Sequence, residues 1–293
     1  MIKFVCMKRL LTSILLAFAV LPLFGQQRDT LRVLAIGNSF SVDGVEHYLW
    51  ELFDAAGIPV IIGNMYIGGC SLERHWENAK SDAPAYSYRK IRDGERIVTK
   101  EFSLEKAFAD EKWNVVTFQQ QSGKSGRYET YQPWLHNLVE YARAHTRPDV
   151  VFLWYQTWAY AKDSSHKEFP TYDNSQIKMY KSIVSASRKA IKAEKLHGVI
   201  PGGTAIQNGR KSSLGDSFNR DGYHLEKTFG RYTVACAWFE TLSGESVVGN
   251  PYYPETITKE VAEICQSAAH GACVHPWRVS VTRHRNKTNT GIR

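Results

Sequence analysis

Five short apolar or β-branched runs, at residues 31–36, 59–65, 113–119, 150–155 and 197–200, alternate with stretches of helical periodicity. This alternation constrains the fold more than any other feature of the chain. Strands that read as near-continuous apolar runs are buried on both faces, so they belong to a parallel sheet covered by helices on each side. Helices are predicted over 45–56 (closed by Gly57), from about Leu72, from a Ser103 cap to Glu111, and over 128–145 and 176–195. Two more near 225–242 and 257–270 follow the last strand. The pattern predicts a flavodoxin-like three-layer α/β/α sandwich with a five-stranded parallel sheet, whose ligands bind beyond the carboxyl ends of the strands. Segments 86–91 and 96–100 flank Asp93-Gly94, a two-residue hairpin signal. They read as a small β-hairpin insertion lying over the domain edge.

The net charge of +8 invites a nucleic-acid reading until the charge is located. Lys3, Lys8 and Arg9 are the only charged residues in 1–25, and Arg278, Arg283, Arg285, Lys287 and Arg293 the only ones in 278–293. The whole surplus lies in these two end segments and the body, 26–277, is formally neutral, so no nucleic-acid groove is supported. The basic residues Lys8 and Arg9 followed by the apolar run 10–24 and Gly25 read as a cleaved signal peptide over 1–25, with a mature chain beginning near Gln26. The run is too short for a comfortable membrane anchor. The expectation is a periplasmic or secreted domain over 26–277 with a basic disordered tail at 278–293. Of the four cysteines that remain, Cys70, Cys236, Cys265 and Cys273, an unbroken helix would hold the last two about 12 Å apart, beyond bridging distance. Buried free thiols are expected, with one bridge allowed.

The first strand ends in Gly37-Asn38-Ser39-Phe40-Ser41, which places the Ser39 hydroxyl in a strand-to-helix turn above the sheet. The G-x-S-x-G nucleophile elbow is absent, since position 41 is serine. Ser39 therefore needs a base from elsewhere, and Asp221-Gly222-Tyr223-His224 offers one: a carboxylate three residues before a histidine can orient the imidazole that takes the serine proton. Both blocks fall on the carboxyl rim of the predicted sheet. Trp158, just past the fourth strand, and Trp76 are candidate flat platforms for a sugar ring. Cys265, His270, Cys273 and His275 match no common zinc spacing, and no H-E-x-x-H, P-loop or dinucleotide fingerprint occurs, so no metal or cofactor is called for.

Gly-Asn-Ser-Phe near the front together with Arg-Asp-Gly-Tyr-His-Leu at 220–225 resembles the SGNH, or GDSL-type, hydrolases, in an exported bacterial branch of unknown function. The resemblance covers about 31–250. It implies Ser39 as nucleophile, His224 as general base and Asp221 as its orienter. It also implies an oxyanion hole from the Ser39 N–H, a glycine N–H after strand two, best matched by Gly69, and a side-chain amide after strand three. The usual asparagine is missing there; the chain reads Gln119-Gln120-Gln121, leaving Gln121 or Gln119 as donor. The function implied is that of an exported serine esterase removing O-acetyl groups from oligo- or polysaccharide. A thioesterase or lysophospholipase on the same triad, and a non-catalytic glycan-binding protein, are the alternatives.

Overall fold

The computed structural model describes residues 28–280, so the signal-peptide segment and nearly all of the basic tail lie outside the described residues. The central sheet has seven strands: β1 (Leu31–Gly37), β2 (Val60–Tyr66), β3 (Tyr86–Arg92), β4 (Glu95–Phe102), β5 (Val115–Phe118), β6 (Val151–Tyr155) and β7 (Gly198–Ile200), ordered β4-β3-β2-β1-β5-β6-β7. The five expected strands are all present and pair in parallel. Leu34 and Ile36 of β1 face one helical layer while Val33 and Ala35 face the other, which is what an apolar run buried on both sides requires.

The sheet is nevertheless mixed, and this corrects the expected architecture. The hairpin does not lie over the domain edge; β3 pairs antiparallel with β2, and β4 with β3. Two interactions make the extension favourable. Tyr86, Tyr88 and Ile91 of β3 are buried, so its inner face joins the core. Arg89 of β3 and Arg96 of β4 converge on the buried carboxylate of Glu46, at 3.1 and 2.9 Å. The hairpin thus neutralises a charge that the first layer of helices buries.

Helices α1 (Ser39–Val45) and α2 (Leu49–Ala55) replace the single helix expected over 45–56; Tyr48, at φ 67°, turns the chain between them. Helix α3 (Leu72–Lys80) and α4 (Leu104–Asp110) are capped by the Ser71 and Ser103 hydroxyls. The helix expected over 128–145 begins only at α5 (Trp134–His145), after Pro133, because proline has no N–H to donate and cannot stand in a helix interior. Helices α6 (Gln176–Glu194), α8 (Phe229–Ser243) and α9 (Lys259–Val274) follow the expected spans closely. Helix α7 (Gly202–Gly209) was not anticipated: all eight residues are buried and three are glycine, so it shows neither a polar face nor helix propensity. Helix α9 runs unbroken through Cys265 and Cys273, and all four described cysteines are free.

Gly203, the second residue of α7, lies against the loop after β6; a Cβ there would lie 2.1 Å from the Thr157 carbonyl oxygen. Because that atom is backbone, relief requires moving the loop. Gly203→Ala is expected to destabilise the fold by at least about 2 kcal/mol, the usual cost of overpacking, seen as a fall of roughly 5 °C in the thermal midpoint.

Candidate active site

The chain steps from β1 to β2 on one side and then to β5 on the other, so the loops after β1 and β5 part at a switch point, the crevice where doubly wound sheets bind ligands. Ser39 and the glutamine run occupy these two loops.

Asn38 organises the turn. It leaves β1 with extended backbone and caps α1, its Oδ1 accepting from the Phe40 N–H at 3.0 Å. The same oxygen accepts from Gln119 Nε2 at 2.9 Å, and Asn38 Nδ2 donates to the Cys70 carbonyl at 3.0 Å. One buried amide thereby joins the ends of β1, β2 and β5. The preceding glycine is required by space: a Cβ at Gly37 would lie 2.5 Å from Ser41 Oγ and 2.8 Å from Gln119 Oε1.

Ser39, the first residue of α1, directs its hydroxyl at His224, with Oγ and Nε2 2.9 Å apart across 185 positions of sequence. On the far side of the ring, Nδ1 lies 2.7 Å from Asp221 Oδ2. An ionised carboxylate can only accept, so Nδ1 carries the hydrogen and, in the neutral ring, Nε2 is the acceptor for the serine proton. The other oxygen, Asp221 Oδ1, accepts from the backbone N–H groups of His224, at 2.7 Å, and Tyr223, at 3.1 Å. Burial alone would push the Asp221 carboxyl up, but the hydrogen bonds from the His224 ring and these two N–H groups outweigh it and hold the group below the usual carboxylate range.

Gly69 lies in the exposed loop after β2 at φ 61°, the left-handed conformation that favours glycine. Neither its N–H nor that of Ser39 meets an acceptor among the described residues. The two glutamines differ. Gln119 is buried and spends its amide on Asn38, so it supports the turn from beneath. Gln121 caps the short turn Ser122–Lys124 through Oε1, which accepts from the Lys124 N–H at 3.0 Å; its Nε2 is left without a partner among the described residues. Gln120, for which no role was expected, is also buried. Its Oε1 accepts from the N–H groups of Leu72 and Gln121, and its Nε2 donates to the Thr130 carbonyl, fastening the start of α3 to the loop after β5. A run of amides directly after a strand was the signal for these roles.

Trp158 does not stand as a sugar platform. Trp158 is 0% exposed, stacked on Phe40 with ring centroids 4.1 Å apart, and its indole N–H donates to the Tyr223 carbonyl at 2.7 Å. It supports the histidine loop from inside, because an indole needs an acceptor once buried. Trp76 is half-buried and makes a T-shaped contact with Tyr141 in the α3–α5 layer. No group of three or more His, Cys, Asp or Glu fit to hold a metal occurs among the described residues.

A Ser-His-Asp relay over the switch point of a doubly wound sheet is thus the feature that defines this molecule. The family model described as "Domain of unknown function (DUF4886)" matches residues 32–272, and the chain belongs to that family. It is similar to the crystal structure of a DUF4886 family protein from Bacteroides uniformis, at 52% identity and a TM-score of 0.85, over 86% of this chain and 98% of that one. Its fold is also similar to that of Axe2, an acetylxylan esterase from Geobacillus stearothermophilus, with a TM-score of 0.50 at 12% identity over 75% of this chain and 97% of that one. No curated protein matches the chain.

Asn38→Ala removes a helix cap worth about 1 kcal/mol and strands two buried partners at about 1–3 kcal/mol each. A loss of roughly 3 kcal/mol in urea unfolding is expected. Asn38→Asp keeps both accepted bonds but turns a buried carboxylate oxygen toward the Cys70 carbonyl oxygen, and should lose at least as much.

Proposed function

We propose that the protein is a serine esterase that removes small acyl groups, acetyl above all, from carbohydrate through an acyl-enzyme. The observation that carries this reading is the unbroken relay Ser39 Oγ to His224 Nε2, 2.9 Å, and His224 Nδ1 to Asp221 Oδ2, 2.7 Å. Ser39 Oγ attacks the ester carbonyl carbon while its proton passes to Nε2. The tetrahedral oxyanion is met by the free N–H groups of Ser39 and Gly69, with the Gln121 amide as the side-chain donor. Collapse breaks the bond to the sugar oxygen, which leaves with the proton held by His224. Water then attacks the acyl carbon, gives its proton to the same nitrogen, and the acid departs as Ser39 is regenerated. Asp221, held ionised, stabilises the imidazolium at each half of the cycle.

The acetyl and carbohydrate parts rest on the resemblance of the two sequence blocks to SGNH hydrolases and on the likeness of fold to Axe2. Action outside the cytoplasm rests on the charged and apolar pattern of residues 1–25.

The test is labelling by a fluorophosphonate probe together with acetate release from a panel of acetylated polysaccharides. Ser39→Ala and His224→Ala are each expected to lower turnover by up to roughly a millionfold, and Asp221→Ala by about ten-thousandfold. Folded wild-type protein that fails to label would point to a non-catalytic glycan binder. Preference for long-chain over acetyl p-nitrophenyl esters would point to a thioesterase or lysophospholipase.

A further inference from the structure

His224 stands on a long connection between α7 and α8, where the chain has only one isolated bridge, Asn219 to Leu225. Loops of this kind are where chains move most, yet proton transfer needs Ser39 and His224 held to within a fraction of an ångström. Both peptide groups flanking the histidine are anchored. On the amino side, the Tyr223 carbonyl accepts from Trp158 Nε1 at 2.7 Å. On the carboxyl side, the Leu225 N–H donates to Asp43 Oδ2 at 3.0 Å.

Both anchors end on the helix that carries the nucleophile. Trp158 lies flat against Phe40, the residue after Ser39, with an interplanar angle of 5°. Asp43 is on α1 itself, four residues beyond Ser39 and therefore on the same face, one turn along. Its carboxylate is 1% exposed, a state a fold tolerates only with compensation. Compensation comes from the loop and the helix after it: Arg231 Nε donates to Oδ1 at 2.8 Å, and Arg220 Nη1 lies 3.4 Å from both oxygens. Arg220 also donates to the Leu225 carbonyl, so its guanidinium closes the loop upon itself.

We infer that Asp43 is the positioning residue of this site, forming with Trp158 a two-point clamp that fixes His224 on the nucleophile helix. Asp43 touches no reacting atom; it acts on the reaction through the peptide group that follows the histidine. The inference rests on the esterase reading for its kinetic consequence and on geometry alone for its structural one.

Two variants test it. Trp158→Phe keeps the stacking surface on Phe40 and loses one hydrogen bond. Asp43→Asn keeps an acceptor for the Leu225 N–H and loses the charge that gathers Arg220 and Arg231. Each is measured well below its unfolding midpoint, with active sites titrated. Turnover is expected to fall roughly tenfold to a hundredfold with KM unchanged within about twofold, the pattern of misplacement rather than lost binding. A merely structural role would reduce the folded fraction and leave turnover per titrated site unchanged, which would overturn the clamp. A second readout is the low-field Nδ1–H proton resonance of His224, assigned by its loss in His224→Gln. The resonance should broaden or vanish in both variants, and its persistence unchanged in both would overturn the clamp even in a protein that proves inactive. Wild-type protein that keeps the resonance and fails to label refutes the esterase reading and not the clamp.

Discussion

The amide of Asn38 is the interaction on which the rest of the site depends. A carboxamide offers two donors and two lone pairs, and here three of these are committed, to the Phe40 N–H, the Gln119 amide and the Cys70 carbonyl. Each partner belongs to the end of a different strand, so a single buried group sets the relative position of the nucleophile turn, the Gly69 loop and the glutamine loop. In a water-poor interior, any one of these bonds broken would leave a polar atom unpaired, and the three loops therefore hold one arrangement rather than several.

The same logic extends along α1. Beneath the turn, Ser41 Oγ donates to Asn64 Oδ1 at 2.8 Å, and Asn64 Nδ2 donates to Glu46 Oε1 at 2.6 Å. Glu46 then receives Arg89 and Arg96 from the hairpin. A line of polar contacts, buried as far as Glu46, thus runs from the foot of the Ser39 turn to the edge of the sheet. The hairpin is in this sense part of the support of the site, although it contributes nothing to the relay. Asp43, three residues earlier, reaches toward the histidine loop, so α1 and its C-cap residue Glu46 bear two buried carboxylates that tie the helix to distant parts of the chain.

What was legible in the sequence and what was not divides by range. The five parallel strands announce themselves through composition within each run, and Asp221 and His224 are three residues apart, close enough for their pairing to be proposed from local geometry. The Asp93-Gly94 turn is equally local, but the partner of β3 is the free edge of β2, some twenty-five residues back in the chain at Ile62 to Tyr66, and no periodicity within the hairpin encodes it. Trp158 fails for the same reason. Its place just past β6 was read correctly, whereas its burial is decided by the Tyr223 carbonyl, 65 residues on. The choice between Gln119 and Gln121 was not legible, because Asn38, the group that claims Gln119, lies 81 positions away. Helix α7 left no pattern at all, since a helix buried on every side has no polar face to set its period.

A partly exposed relay on a deeply fixed base is consistent with the acyl transfer proposed for it. In that proposed reaction the atoms that react must meet solvent and substrate, so the Ser39 hydroxyl, the His224 ring and the Gly69 N–H could not be immobilised by full burial. Their positions are instead inherited from neighbours one residue away: Asn38 and Phe40 beside Ser39, Tyr223 and Leu225 beside His224, Cys70 beside Gly69. Each of these neighbours makes its fixing bond in the interior, through its side chain or through its backbone. Electrostatic stabilisation of a developing oxyanion depends on donors that need not reorganise when the charge appears. Under the proposed reaction, that condition would fall to backbone N–H groups whose neighbours are held by buried partners, and it accounts for the polar groups, from Asn38 and Gln119 to Asp43, that lie under the carboxyl rim rather than on it.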